Sequence, residues 1–396
     1  MSHLAFFNIP AIGHLYPTLP VVGELVRRGH RISYTGVPDR AALIRKAGAT
    51  VVPYESTRPD DTDPSYHAPR NDEYVAGTLL SFLIEAELTL PQFEPALLTD
   101  RPDLIVFDRM AFAGSTFARK HAIPAVQLWP MMISAPQWSW VKPEDLRHPT
   151  LLTYSARLEK FLANQGLPIR PEDFLNPEVA CHLAFFPREF QSHGNLFDDS
   201  YRFVGPCLGA RLDHPEWTPP SGGRDVVLIT MGTQGNLQPD FYRSCFDAFA
   251  GSGWHVVLVV GKRFDPALLG NAPANFEVTP AAPQLEVLKH AKAFVSHGGM
   301  GGVMEAINAG VPHVALPGTR EQETNAARLA ELGLGVWLKD RSGLRAAVDS
   351  VAADQTMRER IAAMQPLLAG GAKRAADTLE ECLASRSTVD ESTART

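Results

Sequence analysis

Short apolar runs alternate with amphipathic, helix-like stretches along the first half of the chain. The apolar runs are the predicted strands, and the stretches between them are predicted helices, several of which stop at a glycine. The predicted strands are residues 4–8, 31–35, 50–53, 103–108 and 125–128, and the predicted helices are residues 17–28, 38–47, 73–98 and 111–121. This alternation of strand and helix predicts a parallel sheet with helices on both faces.

The alternation restarts after residues 205–223, which contain four prolines and several glycines. Because this composition is typical of a linker, it predicts a domain boundary. The second set of predicted strands is residues 225–231, 254–261, 276–279, 293–295, 312–316 and 336–338, with helices at 238–250, 283–290, 303–309 and 321–332 and three more before the end of the chain.

The two halves together predict an α/β protein with two doubly wound, Rossmann-like domains that face each other across a cleft. We expect an N-terminal domain of residues 1–205, a linker of residues 206–223, a C-terminal domain of residues 224–384 and a polar tail of residues 385–396. Whether the last helix packs back on the N-terminal domain is left open. Ligands of such sheets bind beyond the carboxyl ends of the strands, so polar residues at those ends are the candidate site residues.

The composition excludes several classes of protein. Hydrophobic residues make up 45% of the 396 residues and the formal net charge is −7, which is typical of a globular protein and gives no basic surface for nucleic acid. The four cysteines are far apart, without metal-ligand spacing or a disulfide framework. The N-terminus lacks the features of a signal peptide, and no apolar run approaches the ~20 residues that span a bilayer. We therefore expect a cytoplasmic protein without membrane insertion.

A glycine-rich turn follows the predicted strand 293–295 and opens the predicted helix 303–309. Backbone N–H groups and the helix dipole make such a turn a natural anion site, and His297 could donate a further hydrogen bond to a phosphate. Glu305, one turn into the helix, is placed to accept hydrogen bonds from hydroxyls, and phosphate plus polyol indicates a nucleotide sugar. The alternative is a turn that serves only tight packing of strand and helix. The turn reads Ser296-His297-Gly298-Gly299-Met300-Gly301-Gly302.

A histidine follows the first strand of the first half. His14 lies close to Pro17, which fits the first turn of a helix, so the helix dipole disfavours the imidazolium and favours a neutral general base. Asp108 ends the fourth strand, and the first and fourth strands flank the point where a doubly wound sheet reverses its order. We expect the two side chains to meet, with the carboxylate fixing the tautomer of the imidazole. The alternative is that His14, one of thirteen histidines, is incidental.

Three further strand ends in the second half carry polar residues. Gly232 permits close backbone approach and Thr233 offers a hydroxyl to a diphosphate, although an ordinary turn would look the same. Gln284 begins a helix just after a strand and could pair with a nucleobase edge. Glu321 and Gln322 begin another helix and suit sugar hydroxyls, although acidic residues in a first turn are also common caps.

The order of these motifs resembles that of the family 1 glycosyltransferases of the GT-B fold, above all the bacterial macrolide and natural-product enzymes. The resemblance covers nearly the whole chain and rests on five motifs, Gly13-His14, Thr230-Met231-Gly232-Thr233, Pro283-Gln284, His297-Gly298-Gly299 and Glu321-Gln322. It implies transfer of a sugar from a nucleotide diphosphate sugar to an acceptor hydroxyl, with inversion, without a metal ion and without a further cofactor.

The resemblance also implies roles for individual residues. His14 would be the general base and Asp108 its partner. The remaining residues would bind the donor: the diphosphate at Thr233, His297, Gly298, Gly299, Gly301 and Gly302, the base and ribose at Ala282, Gln284 and Glu305, and the sugar at Glu321 and Gln322.

The sequence departs from the family pattern at two places that contact the donor. Ala281 stands where many relatives have a tryptophan that stacks on the base, so thymidine as well as uridine donors remain open. The Glu-Gln pair replaces a frequent Asp-Gln pair, so the sugar is not fixed.

The acceptor is expected on the first half, where large apolar side chains cluster around an irregular segment. Such a surface suits a hydrophobic polyketide or aromatic acceptor, although ordinary core packing is an equal alternative for any one residue. The candidate acceptor residues are Ile12, Phe82, Trp129, Met131, Met132, Trp138 and Trp140.

Other features and functions compete with this interpretation. Asp61-Thr62-Asp63 matches a short metal-binding pattern, but it lies in an acidic stretch rich in proline and is interpreted as a solvated loop. The sequence disfavours a nicotinamide dehydrogenase, because the first turn lacks the G-x-G-x-x-G pattern. A nucleotide-sugar epimerase of the same architecture and a non-catalytic nucleotide-sugar-binding auxiliary protein remain as alternatives. The sequence does not fix the oligomeric state, and a homodimer is left open.

Overall fold

The structure, a computed structural model, describes residues 1–58, 72–134, 147–209, 216–233 and 238–393. The described residues divide into two compact units. The first unit holds the residues up to Gly209 together with those from Gly370 onward, and the second holds the residues between them.

The first unit contains a sheet and helices that cover its two faces. Its strands are β1 (His3–Phe7), β2 (Arg31–Gly36), β3 (Thr50–Pro53), β4 (Leu104–Asp108), β5 (Ala125–Trp129), β6 (Cys181–Ala184) and β7 (Tyr201–Phe203). Its helices up to the unit boundary are α1 (Ile12–Leu15), α2 (Leu19–Arg27), α3 (Pro38–Lys46), α4 (Asp72–Thr99), α5 (Phe112–Lys120), α6 (Pro149–Asn164) and α7 (Pro171–Phe174).

The strands of this sheet lie in the order β3-β2-β1-β4-β5-β6-β7, and each neighbouring pair is parallel. Alternate residues of β1 enter different hydrophobic clusters, because successive side chains of a strand point to opposite faces. Leu4 and Phe6 belong to one cluster, and Ala5 and Phe7 belong to the other. The sheet is therefore buried on both faces, as predicted from the alternation of strands and helices.

The second unit repeats this architecture. Its strands are β8 (Asp225–Thr230), β9 (Trp254–Val259), β10 (Phe276–Thr279), β11 (Ala291–Ser296), β12 (His313–Ala315) and β13 (Gly335–Trp337), in the sheet order β10-β9-β8-β11-β12-β13. Its helices are α8 (Pro239–Phe249), α9 (Gln284–Leu288), α10 (Met300–Asn308), α11 (Arg320–Glu331), α12 (Leu344–Ala353) and α13 (Gln355–Leu368). All of its strand pairs are parallel.

The last helix, α14 (Gly371–Thr393), belongs to the first unit and not to the second. It packs against α2, where the Arg28 guanidinium lies 2.7 Å from a carboxylate oxygen of Asp377 and 2.6 Å from one of Glu380. The helix runs beyond Ser385, where the polar tail was expected to begin.

Some local predictions differ from the structure. The helix expected over residues 17–28 is α2, which begins at Leu19, and the short α1 before it was not predicted. Between the two helices, the Thr18 hydroxyl donates a 2.7 Å hydrogen bond to the Leu15 carbonyl. The short strands β6 and β7 were not predicted, because three or four residues that include polar side chains show no clear alternation. Within the described ranges, none of the helices has both the length and the apolar character needed to cross a bilayer.

The packing of α5 on the sheet generates a prediction about stability. A Cβ atom on Gly114 would lie 2.6 Å from Cβ of Phe7 and 2.9 Å from Cβ of Phe107, where α5 touches β1 and β4. Gly114→Ala should therefore lower the free energy of unfolding by about 1–3 kcal/mol through overpacking, measured by urea denaturation. Gly77→Ala in α4 is the matched control, because nothing lies within 4 Å of its Cβ position. A Gly114→Ala protein as stable as the control would contradict this interpretation.

Candidate active site

The centre of the first sheet brings together the loops that follow β1 and β4. The two strands are paired in parallel with Phe7 opposite Phe107, so the chain leaves both at the same edge. After β1 the chain turns through a short loop into α1, which carries His14. Asp108 is the last residue of β4.

His14 and Asp108 are in direct contact, as the sequence predicts. Nδ1 of His14 lies 2.7 Å from Oδ2 of Asp108, and the His14 side chain is 20% exposed whereas that of Asp108 is 1% exposed. The second carboxylate oxygen, Oδ1, accepts a 2.7 Å hydrogen bond from the backbone N–H of Met110. A carboxylate bound to Nδ1–H leaves the lone pair of the neutral imidazole on Nε2. The pair is therefore arranged to accept a proton at Nε2 of His14.

Buried polar groups hold the His14 loop in place. The side-chain amide of Asn8 donates to the backbone carbonyl of His14 at 2.8 Å and to the hydroxyl of Tyr34 at 3.1 Å. The Tyr34 hydroxyl is also 2.7 Å from that of Thr18. Burial raises the pKa of Tyr34 well above its usual range, so it remains a neutral hydrogen-bonding group. No motif in the sequence indicates this network, although Asn8 stands at the end of a predicted strand.

The second sheet gathers three strand ends in the same way. Ser296 at the end of β11 is paired with Thr230 of β8 on one side and with Ala315 of β12 on the other. His297 follows β11, and its ring fits between two glycines. A Cβ atom on Gly232 would lie 2.4 Å from Cε1 of His297, and one on Gly299 would lie 2.5 Å from Nε2. The imidazole can occupy this position only because both neighbours are glycine.

The N-terminus of α10 is open to a ligand. Gly299 is the N-cap residue and supplies no side-chain hydrogen bond, and the first turn contains no acidic residue. The Cβ position of Gly301 has no atom within 4 Å, and that of Gly302 makes only ordinary contacts. The first N–H groups of a helix without a side-chain cap, together with the helix dipole, are suited to an anion.

A buried histidine supports the turn from beneath. The Ser296 hydroxyl is 2.8 Å from Nε2 of His313 and accepts a 3.1 Å hydrogen bond from the N–H of Gly298. Burial, with a smaller effect of nearby His297, lowers the pKa of His313 to about 3, so this ring stays neutral. Gly298 itself has φ +77°, a conformation that favours glycine. The role of His313 could not be predicted from the sequence, because only the sheet brings this residue next to Ser296.

The start of α11 is tied to the same turn through Asn325. Its fully buried side-chain amide donates to the carbonyl of Gly298 at 3.0 Å and to Oε1 of Glu321 at 2.6 Å. Gln322 is buried, and its side-chain oxygen accepts a 2.9 Å hydrogen bond from the N–H of Gly318. Asn325 therefore orients Glu321, while the oxygen of Gln322 holds the loop before α11.

The other predicted donor residues lie at the same edge of the second sheet. The side-chain amide of Gln284, at the start of α9, donates a 2.6 Å hydrogen bond to Glu305, which is buried in α10. Ala282 is half-buried against the hydrophobic cluster around Val287 and Phe294. Thr233 is exposed just after Gly232. These side chains thus follow the ends of β8, β10 and β11.

The predicted acceptor residues occupy different environments in the first unit. Trp129 and Met132 are 2% and 1% exposed, so both side chains lie in the interior. The Arg109 guanidinium lies 4.4 Å from the centre of a Trp129 ring. Ile12 and Met131 are half-buried. Phe82 of α4 is buried and lines a small cavity whose wall includes the loop after β1. Trp138 and Trp140 lie outside the described residues.

The short Asp-x-Asp pattern is not tested by the structure, because Asp61 and Asp63 also lie outside the described residues. In the part of the chain that is described, no group of three or more His, Cys, Asp or Glu side chains is arranged to hold a metal ion.

Comparison with known proteins identifies the family. A family model described as UDP-glucoronosyl and UDP-glucosyl transferase matches residues 211–368. The NDP-glycosyltransferase YjiC of Bacillus licheniformis is 38% identical over 392 residues, which cover 97% of this chain and 98% of that protein. The oleandomycin glycosyltransferase of Streptomyces antibioticus is 35% identical over 405 residues, covering 97% and 92%. The chain belongs to the nucleotide-sugar glycosyltransferases.

The fold agrees with this family. The crystal structure of the calicheamicin glycosyltransferase CalG4 matches with a TM-score of 0.83 and 35% sequence identity, covering 97% of this chain and 98% of that one. The enzyme is therefore a GT-B glycosyltransferase with two Rossmann-like domains, similar to enzymes that act on natural products, and its donor is a nucleotide sugar.

The position of His297 between two glycines generates a prediction about this transferase. Gly299→Ala should displace the imidazole and weaken binding of UDP or dTDP about tenfold, the loss expected for one charge-assisted hydrogen bond, as measured by calorimetry. Gly253→Ala is the control, since its Cβ position is open and it lies in the same unit. A folded Gly299→Ala protein with unchanged affinity for both nucleotides would show that the ring position is irrelevant to the donor.

Proposed function

We propose that this transferase moves a sugar, with inversion and without a metal ion, from a UDP- or dTDP-sugar to a hydroxyl of a hydrophobic small molecule. Macrolides, polyketides and phenols are the expected acceptors. The observation that carries the proposal is the 2.7 Å contact between Nδ1 of His14 and the buried carboxylate of Asp108. A binding protein or an epimerase has no need of a base that is held ready for an acceptor hydroxyl.

The first step of the proposed mechanism is proton transfer. Nε2 of His14 removes the proton from the acceptor hydroxyl as its oxygen attacks the anomeric carbon of the sugar. The imidazolium that forms is stabilised by Asp108, whose charge lies 2.7 Å from Nδ1. A single displacement on the side opposite the leaving diphosphate inverts the anomeric configuration.

The second requirement is stabilisation of the leaving group. Negative charge develops on the diphosphate as the bond to the sugar breaks. We assign the stabilisation of this charge to the N–H groups at the start of α10 and to the backbone at Gly298 and Gly299. The side chains of His297 and Thr233 are assigned the same role. Fixed donors and the positive end of a helix dipole act on a developing charge without reorganisation, which is how they replace a divalent cation.

The rest of the donor is assigned to the helix starts around this turn. Gln284 and Glu305, which bind each other at 2.6 Å, take the base and the ribose together with Ala282. Glu321, oriented by Asn325, takes the sugar hydroxyls, with the amide nitrogen of Gln322 beside it. Ala281 offers no ring for stacking on the base, which is the reason to test thymidine and uridine donors side by side.

The acceptor is assigned to the first unit, next to His14. Ile12, Phe82 and Met131 remain the candidates for its apolar wall, and the buried Trp129 and Met132 belong to the interior of the same unit. Two relatives support a natural-product acceptor, since one is named as an oleandomycin glycosyltransferase and another as a demethyllactenocin mycarosyltransferase.

Incubation with UDP- and dTDP-sugars and a panel of macrolides and phenols tests the proposal. We expect the wild-type enzyme to glycosylate an acceptor, and His14→Ala to reduce kcat about 10³-fold because the general base is lost, with nucleotide affinity nearly unchanged. His290→Ala is the control, because this exposed histidine precedes β11 at the opposite edge of the second sheet. Donor conversion without an acceptor would favour an epimerase, and binding without any turnover would favour an auxiliary protein.

A chelator tests the absence of a metal requirement. Since fixed protein donors are assigned to the diphosphate, excess EDTA should change turnover by less than about twofold. The rate is measured with the same donor and acceptor before and after chelation, and again after adding Mg²⁺. Loss of turnover that Mg²⁺ restores would overturn this part of the proposal and direct attention to Asp61 and Asp63.

A further inference from the structure

Two cysteines that are remote in sequence meet in the first unit. Sγ of Cys181 in β6 lies 3.5 Å from Sγ of Cys382 in α14, and 201 positions separate them along the chain. Both are free thiols. Cys181 is buried and Cys382 is half-buried, so the pair is reachable by a small reagent from the α14 side.

The backbone around this pair is held firmly. Arg28, just after α2, binds Asp377 and Glu380, which precede Cys382 on α14. At the start of α14, the Arg374 side chain donates a 3.0 Å hydrogen bond to the carbonyl of Val204, just after β7. These contacts keep α14 on the first unit, so the two sulfur atoms stay close. A bonded pair of sulfur atoms is about 2.05 Å apart, so rotation of the side chains has to close only about 1.5 Å.

The two thiols differ in reactivity. The hydrogen bond that they share lowers the pKa of Cys382, while the same bond and burial raise the pKa of Cys181. The thiolate is the nucleophile in cysteine chemistry, and Cys382 is also the more exposed of the two. Cys382 is thus suited to react first and Cys181 to react second.

We propose that Cys181 and Cys382 form an oxidisable pair that closes a disulfide between β6 and α14 when the protein meets a peroxide. The Cys382 thiolate attacks one oxygen of hydrogen peroxide, the O–O bond breaks, and a sulfenic acid and hydroxide form. The Cys181 sulfur then attacks the sulfenic sulfur, and water leaves with the proton of the thiol. In total, two thiols and one peroxide give one disulfide and two waters.

The disulfide would close a covalent loop in the chain. It closes a loop that runs from β6 through the whole second unit and back to α14 on the first unit. The bond joins two elements of the first unit, and it does not involve His14, His297 or any other residue assigned to transfer. The inference therefore stands independently of the proposed function.

The test is a thiol count and peptide mapping of the full-length protein after treatment with a small excess of hydrogen peroxide. Titration under denaturing conditions should give two free thiols instead of the four in the sequence, and dithiothreitol should restore four. Trypsin digestion without reduction should yield a linked pair of peptides, residues 161–188 and 375–386, lighter than their sum by two hydrogen atoms.

Single substitutions make the test specific. Cys382→Ser and Cys181→Ser should each abolish the linked peptide, whereas Cys245→Ser, in α8 of the second unit, should leave it intact. Cys382 is only half-buried, so its variant keeps the test valid even if Cys181→Ser fails to fold. Four thiols after treatment, oxidation of Cys382 to a sulfinic acid without the link, or a link between two molecules would each overturn the proposal.

Discussion

In each sheet, the strand that comes first in the chain pairs with the strand that comes fourth, and this pairing is the constraint on which the rest of the structure depends. β1 lies beside β4 and β8 lies beside β11. In the first unit, the helices that follow the two central strands cover opposite faces of the sheet. In the first unit, Val21 of α2 packs in the same cluster as Phe6, whereas Phe117 of α5 packs with Phe7 on the other face. Neighbouring loops that diverge in this way leave room for a ligand beyond the strand ends.

Much of this arrangement could be predicted from the sequence, because doubly wound sheets have few common strand orders, and in one of them the first and fourth strands are neighbours. That order predicts that His14 and Asp108, 94 residues apart, meet at the end of the sheet. The polar contacts that hold this pair and the glycine-rich turn in place could not be predicted. Tyr34 reaches Asn8 and Thr18, and His313 reaches Ser296, through contacts between side chains whose types and spacing form no motif. A buried polar pair of this kind can be identified only when the positions of the neighbouring strands are known.

The glycine-rich turn is tightly packed, which was the alternative that the sequence offered to a ligand site. The close packing is against the ring of His297 and not between strand and helix. Because residues 232 and 299 are glycines, the imidazole fits at the start of α10.

For the aromatic residues near β5, the sequence could not distinguish the wall of a pocket from a hydrophobic core. Trp129 and Met132 lie in the interior. The sequence could not show this, because the residue type of an apolar side chain does not distinguish a core position from the wall of a pocket.

The membership of α14 in the first unit bears on how enzymes of this architecture can be recombined. An exchange of halves between two relatives with a single junction after Gly209 would place a foreign final helix on α2. Arg28 would then face side chains that were not selected with it, in place of Asp377 and Glu380. Two junctions, one after Gly209 and one after Ala369, would keep this helix with its own partner, and the transplanted segment would be a compact module bounded at both ends.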